Sequence, residues 1–192
     1  MGRKRVVDQE SILDAAELVV AQDGAANLTL ERVAMQAGVS KATVLYDYKS
    51  KQAVLEAVVE RAFARDHALH ARVEEGLEPA DSPAMRSRIV AAAAPPPEAF
   101  RNAALNLSAA LVLDEELRRN MQANQSAVLA RIGETAVSPR GAQLAYLALE
   151  GLKLLEYLDF HHFDKTERAR ILREINWLVA VKPGQEPLPS GQ

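Results

Sequence analysis

The chain contains no cysteine, so disulfide staples and thiolate metal sites are excluded. Aromatic residues make up only 5% of it and tryptophan occurs once. Few aromatics beside abundant alanine and leucine favour helices over sheets. No run of 18 apolar residues exists, so no helical membrane span is expected. Arg3, Lys4 and Arg5 lie near the start without an apolar run behind them, so a secretory signal is not expected and the cytoplasm is the expected location. Positive charge is not in excess either. The formal net charge is −3 and the isoelectric point about 5.9. Binding to nucleic acid therefore cannot be argued from overall charge. No nucleophile elbow, phosphate loop or H-E-x-x-H pattern occurs, so neither an enzyme nor a cofactor is expected.

What remains is a globular composition, 48% hydrophobic and 26% charged over 192 residues. That length suits one sizeable domain or two small ones. The helix signals are plain. Asp8 can cap a first helix whose apolar face is Ile12, Ala16, Val19 and Val20. Gly24 suits a left-handed helix end. Thr29 caps a second helix with Glu31 in its first turn, Gly38 ends it, and Ser40 caps a short third helix to about Tyr46. A long helix opens at Ser50 and runs through Leu55, Val58, Val59 and Phe63 to about Glu75. Ser82–Pro83 starts the next, with Met85, Ile89 and Val90, and Pro95–Pro97 stop it. Further helices start at Pro97, Asp114, Ser138–Pro139 and Asp164, the last with Glu167 as a capping box. The spacing predicts about nine helices, no strand and a disordered tail over 182–192.

Chemistry concentrates in AGVSKATVLYDYKSK, Ala37 to Lys51. Ala34, Gly38 and Val44 have the spacing of a helix-turn-helix. A small residue permits close helix approach, a glycine takes positive φ at the turn, and a valine packs the second helix on the first. The second helix would then enter the major groove with Ser40, Lys41, Ala42, Thr43, Leu45 and Tyr46 outward. Hydroxyls and lysines suit phosphates, and Ala42 or Thr43 suits a thymine methyl. The start of the long helix, with Lys51, suits a phosphate. Over the first 65 residues nine Lys or Arg balance nine Asp or Glu. Even so, Lys41, Lys49 and Lys51 cluster near the groove face, and Glu10, Asp14 and Glu17 belong to the first helix.

The pattern LTLERVAMQAGVSKATVLYDYKSKQAVL resembles the DNA-binding domain of the TetR family of transcriptional regulators. The match runs from about Val6 to Phe63 and includes Leu28–Thr29, Ala34, Ala37 to Ser40, Thr43, Tyr48 and Ser50–Lys51. Leu45 stands where the family usually carries tyrosine, and Asp47 where histidine or another polar residue is common. The candidate DNA contacts are thus Thr29, Ser40, Lys41, Ala42, Thr43, Leu45, Tyr46, Tyr48, Lys49 and Lys51, with Tyr48 also a core anchor. The resemblance implies an all-α homodimer. A three-helix DNA-binding domain over 6–66 is joined by the long fourth helix to a ligand-binding and dimerisation domain over 67–181. The expected partners are double-stranded operator DNA, a second copy of the chain and a small hydrophobic or amphipathic effector, with no membrane.

In the C-terminal half, the helix expected from Ser138 to Phe160 carries Leu144, Leu147, Gly151, Leu152 and Leu155, and the last helix carries Ile171, Ile175 and Leu178. Both apolar faces fit the helical period and call for cover. By the resemblance, these two helices pair with their copies as a four-helix bundle. It also places an effector pocket among the middle helices. Phe100, Leu107, Leu111, Met121 and Tyr146 are candidate lining, with Asn102, Asn106, Gln125 and Glu150 as polar contacts. Glu156, Asp159, His161, His162 and Asp164 are metal-ligand types, but adjacent histidines point apart and Asp164 is a cap, so no metal site is assigned. The expected function is a ligand-responsive repressor on a palindromic operator. A helical small-molecule binding or interaction protein that has lost DNA binding is the alternative.

Overall fold

A computed structural model describes residues 9–77, 80–95 and 114–184. Among these residues there are eight α-helices and no strand. The order is α1 (Gln9–Asp23), a 3-10 turn (Ala25–Asn27), α2 (Leu30–Ala37), α3 (Lys41–Asp47), α4 (Lys51–Glu75), α5 (Pro83–Ala91), α6 (Glu115–Thr135), α7 (Pro139–Tyr157) and α8 (Lys165–Leu178). The helix expected from Pro97, with Phe100, Asn102, Asn106, Leu107 and Leu111, lies outside the described residues. So do Asp8, Arg3 to Arg5 and most of the tail.

The chain divides into two compact units. The first comprises Met1–Ala68, Pro96–Asn124 and Glu156–Phe160. Its core joins Ile12, Ala16, Val19 and Val20 of α1 to Leu28, Val33, Ala34, Val44, Val54, Leu55, Val58 and Val59. Each such valine, leucine or isoleucine contributes about 1.5–3 kcal/mol on full burial. Leu117 is fully buried in this same core. Residues 114–124, at the start of α6, therefore group with the N-terminal helices. Gly24 has positive φ as its position suggested, but with φ 83 and ψ 153 it is extended rather than helical. Its N–H donates to the Val20 carbonyl at 3.0 Å, and the chain turns directly into the 3-10 segment.

The second unit comprises Leu69–Pro95, Gln125–Leu155 and His161–Gln192. Met85, Ile89, Val128, Ile132, Ala142, Ala145, Tyr146, Leu149, Leu152, Ile175 and Val179 form its core. Gly141 makes the joint between α7 and the end of α8. A Cβ there would overlap the Val181 carbonyl and come within 2.6 Å of the Leu178 carbonyl, both backbone groups. Ser138, buried beside it, donates to the Val181 carbonyl at 2.6 Å and so ties the two chain ends. Asp164 caps α8, accepting from the N–H groups of Thr166 and Glu167 at 2.8 Å each.

Three local expectations are corrected. Val90 is exposed, because α5 turns Ala84, Met85, Ser87 and Ile89 inward instead. Ser82 precedes α5 in a left-handed conformation and its side chain makes no cap bond; its buried hydroxyl accepts from the Val137 N–H at 3.2 Å. Helix α7 stops at Tyr157 rather than Phe160, where Asp159 takes a φ of 59.

Candidate nucleic-acid interface

The helix-turn-helix is built by three local devices. Thr29 has extended dihedrals and its hydroxyl oxygen accepts from the Arg32 N–H at 3.2 Å, which fixes the start of α2. Gly38 ends α2 with φ 66 and ψ 34, and the Val39 N–H returns to the Ala34 carbonyl at 2.9 Å. A Cβ at Gly38 would meet nothing within 4 Å, so glycine is required for its left-handed backbone and not for space. Ser40 then caps α3, accepting from the Thr43 N–H at 3.1 Å, and its hydroxyl shares a second hydrogen bond with the Thr43 hydroxyl at 2.9 Å. Val44, wholly buried, pins α3 to the core.

With Val44 inward, α3 turns Lys41, Ala42, Leu45 and Tyr46 outward, and Tyr46 is 81% exposed. Thr43 is half-buried with its hydroxyl on Ser40. Tyr48 packs against the core. Burial, and then the nearby Asp47 and Glu10 charges, raise its phenol above the ordinary range.

The lysines are held in ways the sequence did not signal. Lys41 forms an ion pair with Glu31 of α2. Lys49 donates to the carbonyls of Tyr46 at 2.7 Å and Leu45 at 3.3 Å, closing the C-terminal end of α3, and lies over the Tyr46 ring. Lys51 reaches back to the Ala26 carbonyl at 2.6 Å. Ser50 caps α4 by accepting from the Ala53 N–H at 3.1 Å.

The acids of α1 are occupied as well. Arg61 of α4 meets Glu10 at 3.0 Å, Asp14 at 2.9 Å and Glu17 at 2.8 Å, and Arg65 adds Glu17 at 2.8 Å. This cluster pins α1 across α4 and neutralises carboxylates that would otherwise repel a polyanion.

Known families match both parts of the chain. Residues 12–58 match "Bacterial regulatory proteins, tetR family", and residues 83–180, about half of the chain, match "Tetracyclin repressor-like, C-terminal domain". The chain belongs to the TetR family. It is a DNA-binding transcriptional regulator with an N-terminal helix-turn-helix. No curated protein matches it significantly. Solved TetR-family structures share the fold over nearly its whole length. A member from Streptomyces coelicolor A3 is 21% identical, with 90% of this chain and 98% of that one covered at a TM-score of 0.67. A TetR regulator from Haloarcula marismortui is 17% identical, covering 88% and 95% at 0.68. The multidrug binding protein EbrR, solved with malachite green, is 21% identical, covering 93% and 100% at 0.67.

In the C-terminal unit of this TetR-family chain, two of the candidate effector contacts come together. The Tyr146 hydroxyl donates to Gln125 Oε1. Arg88, which the sequence did not single out, lies over the Tyr146 ring at 6.0 Å. Glu150 pairs with Lys153 at 2.8 Å, and Met121 is half-buried in the other unit. The candidate seam divides into two groups. Leu144, Leu147, Gly151 and Leu155 are exposed along one side of α7. Leu152, at 3% exposure, and Ile175 are core residues, and Ile171 and Leu178 pack against that core. Leu152 and Ile175 therefore leave the seam, because α5, α6, α7 and α8 already cover them. Leu154 and Trp177 are exposed as well, at 54% and 68%; Leu154 widens the apolar surface of α7, and Trp177 was not singled out by the sequence.

Proposed function

We propose that the protein is a ligand-responsive repressor that binds a palindromic operator as a homodimer. The observation that carries this reading is the capped α2–Gly38–α3 unit, which turns Lys41, Ala42, Leu45 and Tyr46 outward from a core pinned by Val44. Thr43 and Ala42 would face base edges; Lys49, Lys51 and the start of α4 would meet phosphates. The exposed leucines of α7 support a second copy as partner, and two recognition helices would read half-sites about 34–36 Å apart. EbrR binds a small molecule, which supports an effector in the C-terminal unit, near Gln125, Tyr146 and Arg88. Such an effector must bind the DNA-free form more tightly, and by linkage DNA must weaken effector binding by the same factor.

The test is selection of bound duplexes from a random pool, followed by salt titration. Lys51→Ala should weaken binding to all sequences alike and reduce the salt slope by about 0.9 for each phosphate that is no longer neutralised. Thr43→Ala should leave that slope alone and relax one position of each half-site, at about 1–3 kcal/mol. Recovery of no preferred sequence would favour a helical small-molecule binding protein instead.

A further inference from the structure

The three lysines around the recognition helix are all engaged within the chain, but their acceptors differ in kind. Lys49 and Lys51 end on backbone carbonyls of Leu45, Tyr46 and Ala26. A carbonyl orients an ammonium group without cancelling its charge, so both lysines still attract phosphate. Lys41 ends on a carboxylate, Glu31. It stands in the first turn of α3, next to the cap Ser40, on the outward surface. Glu31 stands in the first turn of α2. Neither side chain is buried, at 51% and 61% exposure, so the pair can open without unfolding either helix. The Lys41 hydrogen bond, with the helix backbone next, holds the Glu31 carboxyl below its ordinary range, so it stays charged at neutral pH.

We infer that Glu31 sets the overall DNA affinity of the recognition helix: it acts as an internal phosphate mimic that holds Lys41 until a DNA phosphate displaces it. The inference rests on the helix-turn-helix being the DNA-binding surface. Contact with any duplex must break the pair, so part of the electrostatic attraction that all sequences share is withheld. Base contacts elsewhere on α3 are unaffected. The pair therefore lowers non-specific and specific affinity together and leaves their ratio unchanged. Glu31 would be a positioning residue that works through Lys41, and it need not touch DNA itself.

A double-mutant cycle on the full-length protein tests this, using a labelled duplex of mixed sequence and the duplexes selected from it. Glu31→Gln should tighten binding to both by about 2- to 5-fold per protomer, the range of an exposed ion pair. Base preference should not change. In the Lys41→Ala background, the same substitution should have no more than a small effect. An equal gain with and without Lys41 would mean that Glu31 acts only by general repulsion of phosphates, and would overturn the inference. Weaker binding, or the disappearance of preference at one base pair, would make Glu31 a direct contact or a support for Lys41, and would also overturn it. Failure of the wild type to bind any duplex would instead remove the DNA-binding surface on which the inference rests. Circular-dichroism melts of each variant distinguish these outcomes from misfolding.

Discussion

Replacing Leu147 by glutamate separates a surface between copies from an ordinary solvent face. Leu147 is 58% exposed in the single chain and lies one turn from Gly151 on the exposed side of α7. Full burial of a leucine contributes about 1.5–3 kcal/mol, so covering the exposed part would contribute about 1–2 kcal/mol per protomer. Twofold symmetry doubles this to about 2–4 kcal/mol, or roughly 30- to 1,000-fold in the dimer Kd. The new carboxylate raises the cost further, because it would be buried without a partner. Light scattering over a dilution series should give about 42 kDa for the wild type, twice the 20.9 kDa chain. Leu147→Glu should shift to the monomer mass with little change in the melt, since its own chain leaves the side chain exposed. Leu152→Ala is the control. At 3% exposure it should cost about 2–5 kcal/mol of fold stability as a core cavity, without selectively releasing monomers. A wild-type monomer at micromolar concentration, or an unaltered dimer Kd in Leu147→Glu, would refute the assignment of this face.

Other outcomes follow from local geometry. Gly141→Ala should lower the Tm by an amount equivalent to about 1–3 kcal/mol, because its Cβ meets two backbone carbonyls that cannot rotate away. Ser40→Ala should cost about 1 kcal/mol by removing the α3 cap, and should weaken binding to every DNA sequence alike. Gly38→Ala should cost about 1–2 kcal/mol from backbone strain alone, since its Cβ has open space; Gly38→Asn, which tolerates the left-handed region, should recover part of that stability. The Glu31 carboxyl should titrate below its ordinary value of about 4.3 in an NMR pH series, and Lys41→Ala should move it back up. A depressed folded-state pKa stabilises above the unfolded value. The contribution of this pair should therefore be present at neutral pH and fade as pH falls below the ordinary glutamate range.

Much of the helix-turn-helix was legible in the sequence, because its devices are local. Thr29, Gly38 and Ser40 act on N–H groups or dihedrals within three residues of themselves, and Val44 is fixed by its distance along the chain from Gly38. Residue type and spacing therefore suffice for them. The same holds for Asp114, Ser138 and Asp164 as helix starts. Whether Lys41 is available to a phosphate is not local: it depends on where the turn at Gly38 sets the start of α3 against the start of α2. Nor is the choice among Leu152, Leu154 and Leu155. All three lie within four residues of one helix, and periodicity admits more than one apolar stripe through them. Packing against α5, α6 and α8 decides that Leu152 goes inward and Leu154 and Leu155 stay out. The sequence by itself determined the helices, their caps and the turn that makes a recognition helix, because short-range hydrogen bonds and backbone sterics set those. Only the tertiary structure decided which charges are already paired and which leucines remain to be covered, because burial and ion pairing depend on neighbours distant in the chain.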